Sequence, residues 1–233
     1  MKQLLKPAIL LLFVFFSLQS YSQVKFGLKA GPSITTIAQN YDDSDEEEET
    51  LPRILFTLGG VADIGFGDMI SLQPGLMVSF KGYGVDVKDE SDGDAKGYDR
   101  YTIAFLDVPV NVAFKFGKFQ VYAGPYIAFG VWGKNKWDVS GDGWDESGDS
   151  DFKFVIGEVD PDDLDEDETP INMMDYGLGL GVGYKLGPVL LGVGGEIGLA
   201  NLTPKVTDWI DDPGDYRTST RSVSFTATFF FGD

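Results

Sequence analysis

Residues 103–132 read I-A-F-L-D-V-P-V-N-V-A-F-K-F-G-K-F-Q-V-Y-A-G-P-Y-I-A-F-G-V-W, and their spacing decides the fold. From Leu106 every second residue is apolar: Leu106, Val108, Val110, Val112, Phe114 and Phe116. Between them stand Asp107, Pro109, Asn111, Ala113 and Lys115. After Gly117-Lys118 the alternation resumes with Phe119, Val121, Ala123, Pro125, Ile127, Phe129 and Val131. Period-2 alternation on both sides of a two-residue turn predicts a β-hairpin. Each arm is about ten residues or more, longer than the ~5–6 common in soluble sheets. It matches the ~9–11 tilted residues that take a strand across a bilayer.

The same pattern recurs on either side of the hairpin. Strands are predicted over residues 24–34, 53–66 and 70–81, then over the two arms of the hairpin, then over 174–185, 189–199 and 222–231. Short turns at Gly67-Asp68-Met69, Gly117-Lys118 and Gly187-Pro188 alternate with long connections at about 35–52, 85–99, 134–170 and 203–219. A phase change near Phe105-Leu106 predicts a β-bulge there. The long–short rhythm and the even strand count predict an all-β, eight-stranded antiparallel up-and-down transmembrane β-barrel. Closure suits a bilayer because an unpaired backbone group costs several kcal/mol in hydrocarbon. Tyr101, Trp132, Tyr176 and Tyr184 fall near strand ends, where aromatic girdles belong. A soluble barrel of the lipocalin kind needs a charged exterior, and the second face here is too rich in glycine and other small residues to supply one.

Residues 1–22 form a separate element. Lys2 and Lys6 precede an apolar run over residues 8–18, and Ser20-Tyr21-Ser22 supplies small residues for cleavage before Gln23. This predicts a secretory signal peptide followed by a barrel domain over residues 23–233. The chain has no cysteine and no histidine. Disulfides, Ser-His-Asp and Cys-His nucleophilic sites and histidine-bearing zinc sites are therefore excluded.

Charge is distributed as unevenly as hydropathy. The four long connections hold 31 of the 37 acidic residues and 7 of the 18 basic ones, a net charge of −24. Such a field repels nucleic acid and concentrates cations. Within it, Asp138, Ser140 and Asp142 precede Gly143, with Glu146 and Asp149 following at the spacing of an EF-hand loop. Calcium is thus the one cofactor suggested by a motif, although position twelve is Asp rather than a bidentate Glu and no flanking helices are evident. The polar face of the strands carries a second set of charges. Lys25, Lys29, Lys81, Lys115 and Lys185 stand against Asp63, Asp107, Asp175 and Glu196. Their near balance predicts an ion-paired network that fills a narrow lumen and locks strand register. No pair of carboxylates is placed in a substrate cleft, and the chain reads as a non-enzyme.

Certain motifs resemble the PorT-type outer-membrane β-barrel proteins of Gram-negative bacteria. They are Phe26-Gly-Leu-Lys-Ala-Gly31, Leu106-Asp-Val-Pro-Val110 with Ala123-Gly-Pro-Tyr126, and Asp175-Tyr-Gly-Leu178 with Gly181 and Gly183. The chain departs from the family at its end, where Gly232-Asp233 follow Phe231. The resemblance implies an eight-strand barrel in the outer membrane with no known catalytic residues. Its implied partners are outer-membrane lipid and, during biogenesis, the barrel-assembly machinery. The family's named member belongs to a type IX secretion and gliding apparatus, which adds secretion or envelope proteins as candidate partners. Known barrel enzymes generally rely on a histidine, which this chain lacks. Two roles follow: a surface protein that binds cations or adheres through its acidic loops, or an accessory component of a secretion or envelope-assembly complex.

Overall fold

Alternating sequences pair edge to edge because one face of each strand must share an environment with its neighbours. In the computed structural model, which describes residues 24–41, 50–89, 95–160, 162, 164, 168–206 and 216–231, that pairing forms the whole architecture. The first five strands are β1 (Val24–Tyr41), β2 (Leu51–Phe66), β3 (Ile70–Asp89), β4 (Ala95–Phe116) and β5 (Phe119–Gly141). Then come β6 (Trp144–Val155), the short β7 (Glu158–Val159) and β8 (Glu168–Asn172). The chain continues through β9 (Met174–Leu186), β10 (Val189–Gly198), the short β11 (Lys205–Val206) and β12 (Tyr216–Phe230). Hydrogen bonding runs β4-β3-β2-β1-β12-β10-β9-β5, and β5 pairs back onto β4. The ring closes, and every pairing in it is antiparallel. The three glycine turns expected from the sequence are all present, with Gly67, Gly117 and Gly187 at positive φ.

The ring is apolar outside and polar inside. Leu28, Leu76, Phe114, Leu180 and Phe225 are exposed, whereas Ser71, Gln73, Lys81, Asp107, Asp175 and Thr228 are buried. This inverts the pattern of a water-soluble protein. Among the described residues, no helix is long and apolar enough to cross a membrane.

The structure differs from the sequence reading in three places. First, the strands run well beyond a bilayer's thickness at the end opposite the glycine turns, with β3, β4 and β5 reaching 20, 22 and 23 residues. Much of the segments read as loops at 85–99 and 134–170 is therefore sheet. The tips of the acidic connections, and residues 1–22, lie outside the described residues. Second, the bulge is on β5 rather than β4. Ala104 pairs with Trp132 and Phe105 with Gly130, so Val131 is the extra residue, and Val131 and Trp132 both face outward. β4 itself stays in register with β3. Third, Tyr101 faces inward and stacks on Tyr83 with ring centroids 4.4 Å apart, so it is not a girdle residue. Trp132 and Tyr176 do lie on the exposed outer surface.

β9 leaves β5 at Phe129, and above that point β6 takes its place along Lys134 to Gly141, with β8 parallel to β6. This upper storey folds an apolar cap into the ring. Ile103, Phe105, Tyr126, Ala128 and Leu202 form a buried cluster, against which Phe152, Phe154 and Ile171 pack. Gly130 and Gly133 on β5 admit the cap, because a Cβ at either position would run into the ring of Phe154 or Phe152. Backbone bonds from Asn172 to Leu202 and from Leu202 to Thr218 tie the cap to β12.

Candidate functional site

Charges turned into a narrow ring are largely withdrawn from bulk solvent, so each gains from a partner across it. The nine charged residues of the polar face separate into two groups. Beneath the cap, Lys81 of β3 gathers three carboxylates from three other strands. Its Nζ lies 3.2 Å from Asp175 Oδ2, 3.3 Å from Glu196 Oε2 and 3.9 Å from Asp107 Oδ2. The same ammonium sits over the rings of Tyr126, at 4.3 Å, and Phe105, at 5.4 Å. Asp175 is further held by the hydroxyls of Thr220, donating at 2.8 Å, and Tyr126, at 3.1 Å. Lys29, over the ring of Tyr122, lines a cavity of about 50 Å³ together with Glu196.

Nearer the glycine turns, Lys115 Nζ lies 2.5 Å from Asp63 Oδ2, and Gln73 donates to Asp63 Oδ1 at 3.1 Å and to Gln120 Oε1 at 3.4 Å. Lys25 pairs in register with Asp63, while Lys185 lies at the end of β9. Sequence reasoning missed Tyr126 and Thr220. Tyr126 could have been found by parity, since it alternates with the outward-facing Pro125 and Ile127 on the central hairpin.

The upper group is unequal: Lys81 alone approaches all three carboxylates, and Lys29 lies beside Glu196 only. Both oxygens of Asp107 and Oδ1 of Asp175 are buried without a hydrogen-bond partner. The Lys81 contacts join side chains of β3, β4, β9 and β10 across the ring. The neighbouring cavity that Lys29 and Glu196 line measures about 50 Å³.

The proposed calcium ligands lie elsewhere, on the β5–β6 hairpin. Asp142-Gly143 is a two-residue turn, with Gly143 at φ 84°. Asp138 pairs with Ser147, Ser140 with Asp145 and Lys136 with Asp149, which puts Asp138, Ser140 and Asp149 on one face. Glu146 pairs with Val139 and points to the other face. A hairpin's period of two separates ligands that an EF-hand loop would turn toward one point. Among the described residues, no group of three or more His, Cys, Asp or Glu side chains is placed to hold a metal. Trp137 and Trp144 flank the turn, and millimolar calcium is expected to leave their emission unchanged. A saturable spectral shift would show that the hairpin refolds around the ion.

Asp149 instead bonds to Lys134, which also approaches Asp151 at 3.6 Å. The bond lowers the Asp149 pKa and raises that of Lys134. The pair is intact at neutral pH. It is lost as pH falls through the lowered carboxyl value or rises through the raised ammonium value, and in open solvent it adds little to stability.

Residues 17–203 match the family model described as outer membrane protein beta-barrel domain. The chain is also similar to three solved structures. Ail, the attachment invasion locus protein of Yersinia pestis, shares 12% identity over 90% of this chain and 99% of that chain, with a TM-score of 0.40. Neisserial surface protein A shares 15% over 88% and 97%, with a TM-score of 0.38. OprG of Pseudomonas aeruginosa shares 13% over 91% and 97%, with a TM-score of 0.40. No curated protein matches the chain significantly.

Proposed function

The chain belongs to the outer membrane protein beta-barrel domain family, and from that premise we propose a non-enzymatic, eight-stranded transmembrane barrel that displays an acidic sheet extension at the cell surface. The observation that carries this reading is the occupied lumen. The Lys81 group bridges four strands of the ring and the apolar cap packs above it, while the strands around them continue upward. A barrel plugged in this way is a scaffold rather than a pore, and an eight-strand ring leaves little interior beyond what side chains fill. The outward belt of leucine, valine and phenylalanine fits outer-membrane lipid. Short turns in such barrels face the periplasm and long connections face outward. That rule puts Gly67, Gly117 and Gly187 inside the cell envelope and the acidic extension outside. The surplus of negative charge there suits loose retention of cations or contact with a basic surface.

Two measurements test this reading. With no native cysteine in the chain, Ser147→Cys and Asp68→Cys provide clean probes of each end. Ser147→Cys should react with an impermeant maleimide in intact cells, and Asp68→Cys only after the outer membrane is permeabilised. The reverse pattern would invert the orientation and remove the surface-display role. A pull-down from native outer membrane addresses the competing role as an accessory component of a secretion or envelope-assembly complex. Recovery of the barrel alone is expected, and reproducible, stoichiometric recovery of envelope proteins would favour the accessory role.

A further inference from the structure

Three cavities lie one above another in the lumen. The first, of about 330 Å³, is at the glycine turns, where Gly67, Asp68 and Gly117 line it. The second measures about 30 Å³, and the third is the cavity of about 50 Å³ beside Glu196. The strands give their order. On β5, Gln120 lines the first and second, Tyr122 the second and third, and Tyr126 the third. On β12, Phe230 lines the first and second, Thr226 the second and Ser224 the third. Neighbouring cavities therefore share side chains as common walls. The glycines of β9 and β10 help to make the hollow: a Cβ at Gly181 or Gly194 would lie 2.4 Å from the Tyr122 hydroxyl oxygen.

A water molecule needs about 10–15 Å³ of such space and a few polar partners, and both upper cavities meet the first condition. They meet the second as well. Lys29, Asn111 and Tyr122 line both, and among the described residues none of these side chains makes a hydrogen bond or an ion pair. Lys29 instead sits over the Tyr122 ring, 5.3 Å from its centroid. The series stops at the Lys81 group. The side chain of Glu196 is 32% exposed, whereas those of Lys81 and Asp175 are 4% and 0% exposed. We infer that the lower lumen is a blind shaft, which binds ordered water from the glycine turns up to Glu196, exchanges it through the turn end and is shut beneath the cap. The water gives Lys29, Asn111 and Tyr122 the hydrogen bonds that enclosed polar groups require. Water, and with it protons, then reaches Glu196 from one side of the membrane only. This goes beyond the scaffold role and holds whichever compartment the turns face.

The test is X-ray hydroxyl-radical footprinting of the full chain in nanodiscs, because the radicals form at bound water and oxidise the side chains that touch it. Met77 and Tyr122 are only 6% and 9% exposed, yet both line the two upper cavities. Both should be oxidised in wild type, while Phe105, at 0% exposure in the cap, should not. After brief mixing into heavy-oxygen water, the heavy isotope should appear in the hydroxyl group added to Tyr122. Gln120→Leu, at the wall between the first two cavities, should slow that uptake. Asn111→Leu, which removes a polar partner and fills space, should reduce oxidation of Met77 and Tyr122 towards the level of Phe105. Absence of oxidation at both residues in wild type would overturn the inference. Oxidation without uptake of the heavy isotope would mean isolated, trapped water and overturn the shaft. Uptake as fast in Gln120→Leu as in wild type would overturn entry from the turn end. None of these readings changes with the maleimide outcome, so the two ideas fail separately.

Discussion

Lys81→Met is expected to lower the stability of the folded barrel by about 3–5 kcal/mol, the usual cost of stripping the partner from a buried ion pair. The substitution keeps most of the side-chain volume, so the loss reports charge rather than packing. It leaves Asp107, Asp175 and Glu196 facing one another without the cation that approaches all three. Asp107→Asn should behave in the opposite sense. Neither carboxylate oxygen of Asp107 has a hydrogen-bond partner, and its distance to Lys81 is the longest of the three. Removing its charge should therefore be neutral or stabilising, and in the Lys81→Met background it should recover part of the loss. Denaturant midpoints in detergent, with slopes compared to confirm a common transition, measure both effects. A Lys81→Met variant within about 1 kcal/mol of wild type, a surface-like value, would mean that water reaches the cluster and that it locks nothing.

Phe105→Ala is the second large effect, expected at about 3–5 kcal/mol. Phe105 is fully buried at the centre of the cap, between the inward side chains of β4 and the rings brought in by β6. Its loss leaves a cavity that the hydrogen-bonded strands cannot collapse to fill. It also uncovers the ammonium of Lys81, which sits against the same ring. Faster hydrogen exchange at the backbone amides of residues 79–81 and 126–128 should accompany the drop in midpoint. A lower midpoint with unchanged exchange there would mean that the cap stabilises the extension but does not seal the lumen.

Where the chain lies in a bilayer, its sequence states its structure almost residue by residue, because the two faces of each strand meet opposite solvents. The hairpin around Gly117 and the turns at Gly67 and Gly187 were legible for that reason. The signal fails where the contrast between faces fails. In Lys134-Asn135-Lys136-Trp137-Asp138 both faces are largely polar, so a strand reads as a loop although it pairs through Gly141. In the cap the contrast reverses. Ile103 and Phe105 are apolar yet point inward, which imitates a phase change on β4, while the true extra residue, Val131, lies across the ladder in an unbroken apolar run. That Lys81 rather than Lys115 would collect three carboxylates was not legible, because that depends on how far each strand is sheared around the ring. The calcium spacing was read without the hairpin's register, which distributes those residues over two faces.

The seam of the ring carries a consequence of timing. β1 is bonded on one side to its immediate successor and on the other to β12, Gly27 opposite Phe230 and Phe231 reaching back to Phe26. The ring's first strand therefore waits for its last, and this pairing is the most non-local in the ring. Until residues 216–230 arrive, β1 and β10 present bare edges, and hydrocarbon tolerates neither. Closure of the ring is thus expected to be a single late event that waits for β12. Whatever escorts the chain across the envelope must hold nearly all of it open until then.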